Sequence, residues 1–167
     1  MEPSTTGVER LMGMSDATWR RHANPWSVWT RMGILPLLAL AVWSRVWIGA
    51  WAWGPVGLVA VWTWWNPRAF GEPASLESWA SKAVLGERVW LARGEAPLPE
   101  RHRRLPMVLA GVAGLGVPFL AWGLWKLDLA ALAIGMLLVY GGKLWFLDRM
   151  VWLWEDSRGT ATAERFR

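Results

Sequence analysis

From Met32 to Trp65 the chain runs for 34 residues with one charged side chain, Arg45. As a single straight helix this stretch would reach about 51 Å, well beyond the ~30 Å hydrocarbon core of a bilayer. It must fold back on itself, and Arg45, Gly49, Gly54 and Pro55 mark the turn. The expected result is two helices, at about 25–47 and 50–65. Asn66-Pro67 should stop the second, because a residue before proline is pushed out of the α region.

The rest of the chain repeats that layout. Pro106 to Trp125 is an uncharged stretch of 20 residues, long enough for one crossing. Lys126-Leu127-Asp128 reads as a tight turn, with Asp128 capping a fourth helix whose span covers about 129–150. Between the pairs, residues 66–105 are polar and broken by Pro67, Pro73, Pro97 and Pro99. Within this connector Leu76, Trp79, Ala80, Ala83, Val84, Trp90 and Leu91 fall on one helical face, predicting an amphipathic interfacial helix at about 75–92, capped by Ser75. The expected fold is all-α: four transmembrane helices as two hairpins joined by a cytoplasmic connector. They form one domain over 15–156, with a flexible extension over 1–14 and a disordered tail over 157–167. Small residues at Ala110 and Gly114 and at Ala131 and Gly135 predict close helix contact.

Composition supports a membrane setting. Apolar residues make up 54% of the chain and mean hydropathy is +0.20, both high for a soluble domain of this size. There are 17 tryptophans against one tyrosine, and indole favours the bilayer interface. Trp26, Trp29, Trp62, Trp64, Trp65, Trp145, Trp152 and Trp154 fall near one set of span ends. Trp43, Trp47, Trp51, Trp53, Trp122 and Trp125 fall near the other. Sixteen of the 18 Lys and Arg residues lie in the termini and the connector. By the positive-inside rule these segments face the cytoplasm, and the protein is expected in the inner membrane. The net charge of +5 follows this flanking pattern, with no basic stripe interleaved with aromatics, so no nucleic-acid partner is expected. Ala39-Leu40-Ala41 resembles a signal-peptide cleavage site, but apolar sequence continues past it and no cleavage is expected.

The chemistry-bearing residues gather near the inner ends of the spans. In His22-Ala-Asn-Pro-Trp-Ser-Val-Trp-Thr-Arg31, Asn24 caps a helix that Pro25 begins. Asn24, Ser27 and Arg31 then share one face, opposite Trp26 and Trp29. Glu87 falls within the apolar face of the connector helix, where a carboxylate is costly unless paired. Lys143 and Asp148 sit at a similar depth on the fourth helix. His22, Asn24, Arg31, Glu87, Lys143 and Asp148 are therefore the candidate cluster. Glu87 is expected to pair with Arg31 or Lys143, clamping the connector helix to the bundle. The alternative is a cytoplasm-facing site in which Arg31 and Lys143 hold a phosphate, Glu87 or Asp148 acts as base, and His22 moves a proton. His102, within Arg101-His102-Arg103-Arg104, reads as part of a solvated basic run meeting anionic lipid.

Several chemistries are excluded. With no cysteine there is no thiolate nucleophile or cysteine metal site, and two histidines cannot build a histidine cage. GxSxG, HExxH, P-loop and GxGxxG motifs are absent, and no cofactor or metal is expected. Taken together, His22 to Arg31, Asn66-Pro67, Val84-Leu-Gly-Glu-Arg-Val-Trp90 and the run from Lys143 to Trp154 resemble a family of small prokaryotic membrane proteins classed as a domain of unknown function. That resemblance covers about residues 15–156 and implies no activity, cofactor or catalytic residue. The leading expectation is a non-enzymatic protein that binds membrane lipids or partner subunits, such as an accessory subunit of a membrane complex. The alternative is an interfacial enzyme acting on a lipid head group or isoprenoid.

Overall fold

The computed structural model describes residues 15–94 and 98–166, and among these there is no strand. The flexible extension expected over 1–14 lies outside the described residues. The helices are α1 (Asp16–His22), α2 (Pro25–Met32), α3 (Ile34–Trp43), α4 (Arg45–Ile48), α5 (Trp53–Ala69), α6 (Trp79–Leu91), α7 (Leu105–Lys126), α8 (Leu129–Ser157) and α9 (Ala161–Arg165). Short 3-10 turns occupy Gly49–Ala52, Ala92–Gly94 and Glu100–His102. Three helical stretches, Pro25–Ala69, Glu100–Lys126 and Leu129–Ser157, are long and apolar enough to cross a membrane.

The first of these, 45 residues long, is not one rod. Its breaks at Gly33 and Ser44 are slight, since both residues keep right-handed helical angles. The break at Gly49 is a true turn: φ is 58° and ψ is −132°, a conformation that side chains with a Cβ rarely adopt. Helix α5 starts after it with Pro55 in its first turn and, contrary to expectation, continues through Asn66 and Pro67 to Ala69. A proline this close to a helix end removes a single backbone bond, and side-chain bonds to Asn66 hold the helix on course.

Tertiary contacts divide the chain into two compact units. One falls within Met1–Arg31, Trp65–Leu98 and Met150–Arg167, the other within Met32–Trp64 and Pro99–Arg149.

In the first unit the central element is α6. It was expected at the membrane surface or against the bundle, and Ala80, Ser81, Ala83, Val84, Leu85, Gly86, Arg88 and Val89 are all buried. This burial extends beyond one face because α1 and α9 both pack on α6, while Gly86 lets the Met150 backbone approach. Its cap is Ser78 instead of Ser75: the Ser78 hydroxyl accepts from the Ser81 amide at 3.0 Å, and Ser75 instead caps a turn at Glu77. Residues 157–167, expected to be disordered, include α9. Thr160 caps it, accepting from the Ala163 amide at 3.3 Å, and Ala163 and Phe166 are buried. The apolar burial of Phe166 gives this short helix a tertiary reason to form.

In the second unit α7 and α8 run antiparallel at backbone contact. A Cβ at Gly116 would lie 2.7 Å from the Gly135 carbonyl oxygen, and one at Gly142 would lie 2.7 Å from that of Leu109. Gly123 meets Leu132 in the same way, at 2.5 Å. Gly135 thus fulfils its expected packing role, but Gly114 faces open space and Gly116 and Gly123 take its place. At the joining turn Leu127 is left-handed, and Asp128 accepts from the amides of Ala130 and Ala131 at 2.9 and 3.1 Å, the cap expected of it. Arg45 donates to the carbonyls of Leu124 and Trp125, closing the C-terminal end of α7. The unit's exterior is apolar: Leu58, Leu115, Leu129 and Leu137 are all exposed, the last at 73%. His102, expected in a solvated run, is buried, while Arg101, Arg103 and Arg104 around it are exposed.

Candidate functional site

The structure divides the candidate residues. His22, Asn24, Arg31 and Glu87 belong to the first unit, and Lys143 and Asp148 to the second.

Asn24 caps α2 as expected, its Oδ1 accepting from the Trp26 amide at 3.0 Å. Its Nδ2 also donates to the Gly71 carbonyl at 3.0 Å, fastening the start of the helix to the connector. The predicted division of α2 holds: Ser27 is buried while Trp26 and Trp29 are exposed, and Trp29 stacks on Trp79.

His22 does not lie at a solvent rim. It is buried at one end of a chain of polar side chains that includes Ser27 and Asn66, both with no exposed surface. The direction of that chain follows from its far end. The Trp26 carbonyl can only accept, so Thr30 gives it its single hydroxyl proton at 2.6 Å. Thr30 must then accept from Asn66 Nδ2, 2.8 Å away, which points Asn66 Oδ1 at Ser27. Ser27 donates there at 3.0 Å, and His22 Nδ1, 2.8 Å from Ser27 Oγ, is left as the donor. This is the reverse of a nucleophile and base pair, in which the imidazole accepts the hydroxyl proton. Every hydroxyl here is already committed.

Arg31 and Glu87 are both half-buried, and the Glu87 carboxylate acts electrostatically on the Arg31 guanidinium. In the second unit the exposed Lys143 lies 5.0 Å from the centre of the Phe146 ring, and Asp148 is 3.3 Å from Arg149.

Two charge clusters escaped sequence reasoning. Arg88, 5% exposed, pairs with Asp16 and lies over the rings of Trp19 and Phe166 at 5.5 and 4.4 Å. It ties α1, α6 and α9 together, and no local pattern announces it, since Arg88 falls outside the apolar arc of α6. The second cluster is a ring of four. Lys82 bonds Glu155 at 2.7 Å and Glu77 at 3.1 Å, and Arg158 bonds Glu77 at 2.8 Å and Glu155 at 2.7 Å. Hydrogen bonds from Arg158 and then Lys82 hold the Glu77 carboxyl below the usual carboxylate range. Glu155, then Glu77, pushes the Lys82 ammonium above the usual lysine value.

Two cavities open in the first unit, one of about 370 Å³ beside Glu77, Trp154 and Arg158, and one of about 100 Å³ beside Trp19, Arg88 and Phe166. None of the candidate residues His22, Asn24, Arg31 or Glu87 lines either of them. In the second unit a cavity of about 570 Å³ lies against Arg45 and the Gly49 turn.

No curated protein and no solved structure matches the chain. A family model does match, over residues 6–166, which reaches further at both ends than the resemblance seen in the sequence. The chain therefore belongs to DUF6653, a family of unknown function.

Proposed function

We propose that this is a multi-pass membrane protein that acts by binding rather than by catalysis, with membrane lipids and other membrane-protein subunits as its partners. In this reading it crosses the inner membrane four times, as two helical hairpins, with both termini and the connector in the cytoplasm. Asn66 bonds Ser27 and Thr30, so the two ends of the 45-residue stretch return to each other, which supports two crossings there. The basic residues of the termini and connector support the orientation.

The observation that carries the reading is a contrast. The polar side chains of the first unit are engaged with one another in a directional chain and an ion-pair ring, whereas the apolar side chains of the second unit face outward. A surface of that kind is satisfied by lipid or by another apolar protein face. The experiment is native mass spectrometry of the full chain, gently extracted in detergent. Co-purifying lipid or a stoichiometric partner chain is the expected result. A ligand-free protein that comes through extraction alone would overturn the reading.

A further inference from the structure

We propose that the cavity at the Gly49 turn is a site for an anionic phospholipid, with Arg45 binding the phosphate and the cavity taking an acyl chain. This rests on the membrane reading above and names the ligand for one place in it. The cavity, about 570 Å³, falls in the size range of small-molecule sites. Its walls include Val42, Val46, Ala52, Val56 and Leu127, and the one charged side chain among them is Arg45.

The guanidinium is fixed in place. Its Nη2 donates to the carbonyls of Leu124 and Trp125 at the end of α7, while Nε and Nη1 keep their donors for another acceptor. With Nη2 anchored, Nε–H and Nη1 point to different sides of the guanidinium, so a phosphate oxygen is met by a single charge-assisted N–H bond. The immediate surroundings favour an anion. Lys126 adds a second positive charge beside Leu127, with its ammonium over the Trp122 and Trp125 rings. Asp128, the acid of this turn, has its carboxylate directed to the first amides of α8. A zwitterionic head group would bring its own cation against Arg45 and Lys126. The depth suits a head group as well: Trp47, Trp51, Trp53 and Trp125 are exposed around the turn, Trp51 at 84%, as indoles are at a bilayer interface.

The test uses the full chain in detergent, titrated with phosphatidylglycerol or phosphatidylcholine of the same acyl chains and read by native mass spectrometry. Wild type is expected to retain phosphatidylglycerol about tenfold better, because Arg45 and Lys126 repel the quaternary ammonium that phosphatidylcholine adds to the shared phosphate. Arg45→Gln should bring phosphatidylglycerol down to the phosphatidylcholine level. Since Arg45 also closes α7, Ala50→Trp serves as the second variant: it fills the exposed mouth, leaves Arg45 in place, and should lower retention of both lipids. Equal retention of the two lipids by wild type, or unchanged phosphatidylglycerol retention in Ala50→Trp, overturns the site. If the protein nonetheless needs detergent to leave the membrane, the membrane reading stands. A chain that stays soluble without detergent overturns that reading, and the site with it.

Discussion

The Tyr140 hydroxyl donates to the main-chain carbonyl of Met32, the carbonyl that Pro36 leaves without its helical partner. The chain's one tyrosine thus repairs a proline break in a neighbouring helix of the same unit. Tyr140→Phe is expected to lower stability by about 1 kcal/mol, the cost of losing a hydrogen bond to a half-buried carbonyl. In the Pro36→Ala background residue 36 regains an N–H, so the same substitution should cost little. Thermal unfolding of the four proteins in detergent measures the cycle. Equal costs of Tyr140→Phe in the two backgrounds would show that the hydroxyl is not replacing the missing helix bond.

Gly86 is the contact through which α6 reaches the Met150 backbone. A Cβ there would overlap the Met150 carbonyl, which is backbone and cannot swing aside. Gly86→Ala is therefore expected to destabilise by about 3 kcal/mol, the upper end of overpacking costs. Gly111→Ala is the control, since nothing lies within 4 Å of its added Cβ. There the helix should gain about 0.5–1 kcal/mol from lost backbone freedom in the unfolded chain. Similar melting shifts in the two variants would contradict the close approach.

The local features were the legible ones. Asn24-Pro25 and Asp128 announce helix starts because a cap needs only its own next few residues. Trp26 and Trp29 announce an exposed face because helical period alone sets them opposite Ser27. What eluded the sequence was set by distant partners. Nothing near Gly86 signals that Met150 will press against it, so α6 reads as a one-sided amphipathic helix, although it is buried well beyond one face. Ser75 and Ser78 are equivalent caps on paper, and packing of the following helix selects Ser78. His22 looks like a proton carrier until Ser27, Asn66 and Thr30 assign the direction of its hydrogen bond. Phe166 and Arg88, 78 residues apart, make a contact that no window of sequence contains.

The ring of Lys82, Glu77, Glu155 and Arg158 should shape the pH profile of stability. Glu77 has a lowered carboxyl pKa, so its contribution is present above the ordinary carboxylate value and lost as pH falls through the lowered one. Lys82 has a raised pKa, so its contribution is present below the ordinary lysine value and lost as pH rises through the raised one. Melting temperature against pH should therefore show a plateau with losses on both sides. Glu77→Gln should shrink the acid loss, while the alkaline loss persists through the Lys82 contact with Glu155. An acid limb identical to wild type would mean that Glu77 contributes nothing through its charge.

Arg31 and Glu87 offer a separate electrostatic test within the first unit. Arg31→Glu and Glu87→Arg should each destabilise, because each places like charges together in a half-buried setting. The double swap restores opposite charges and should recover part of the loss, with a coupling of about 0.5–3 kcal/mol. Denaturant titration of the four proteins reads that coupling. Strictly additive losses would show that the two side chains act independently.

The absence of cysteine allows the proposed topology to be tested without a cysteine-free background. Arg21, Ala74 and Glu164 are exposed residues of the first unit, and Ala50 and Lys126 are exposed residues at the turns of the second. With four crossings, a single cysteine at Ala50 or Lys126 should react with an impermeant maleimide on intact cells. Cysteines at Arg21, Ala74 or Glu164 should react only after permeabilisation, because two crossings separate Arg21 from Ala74 and two more separate Ala74 from Glu164. The Pro25–Ala69 stretch is the discriminating one. If it crossed once, Arg21 and Ala74 would lie on opposite faces and one of them would label in intact cells. That result would reduce the crossings to three and place the two termini on opposite sides. It would also remove Arg45 from the outer interface, where its remaining N–H donors would otherwise meet a lipid phosphate.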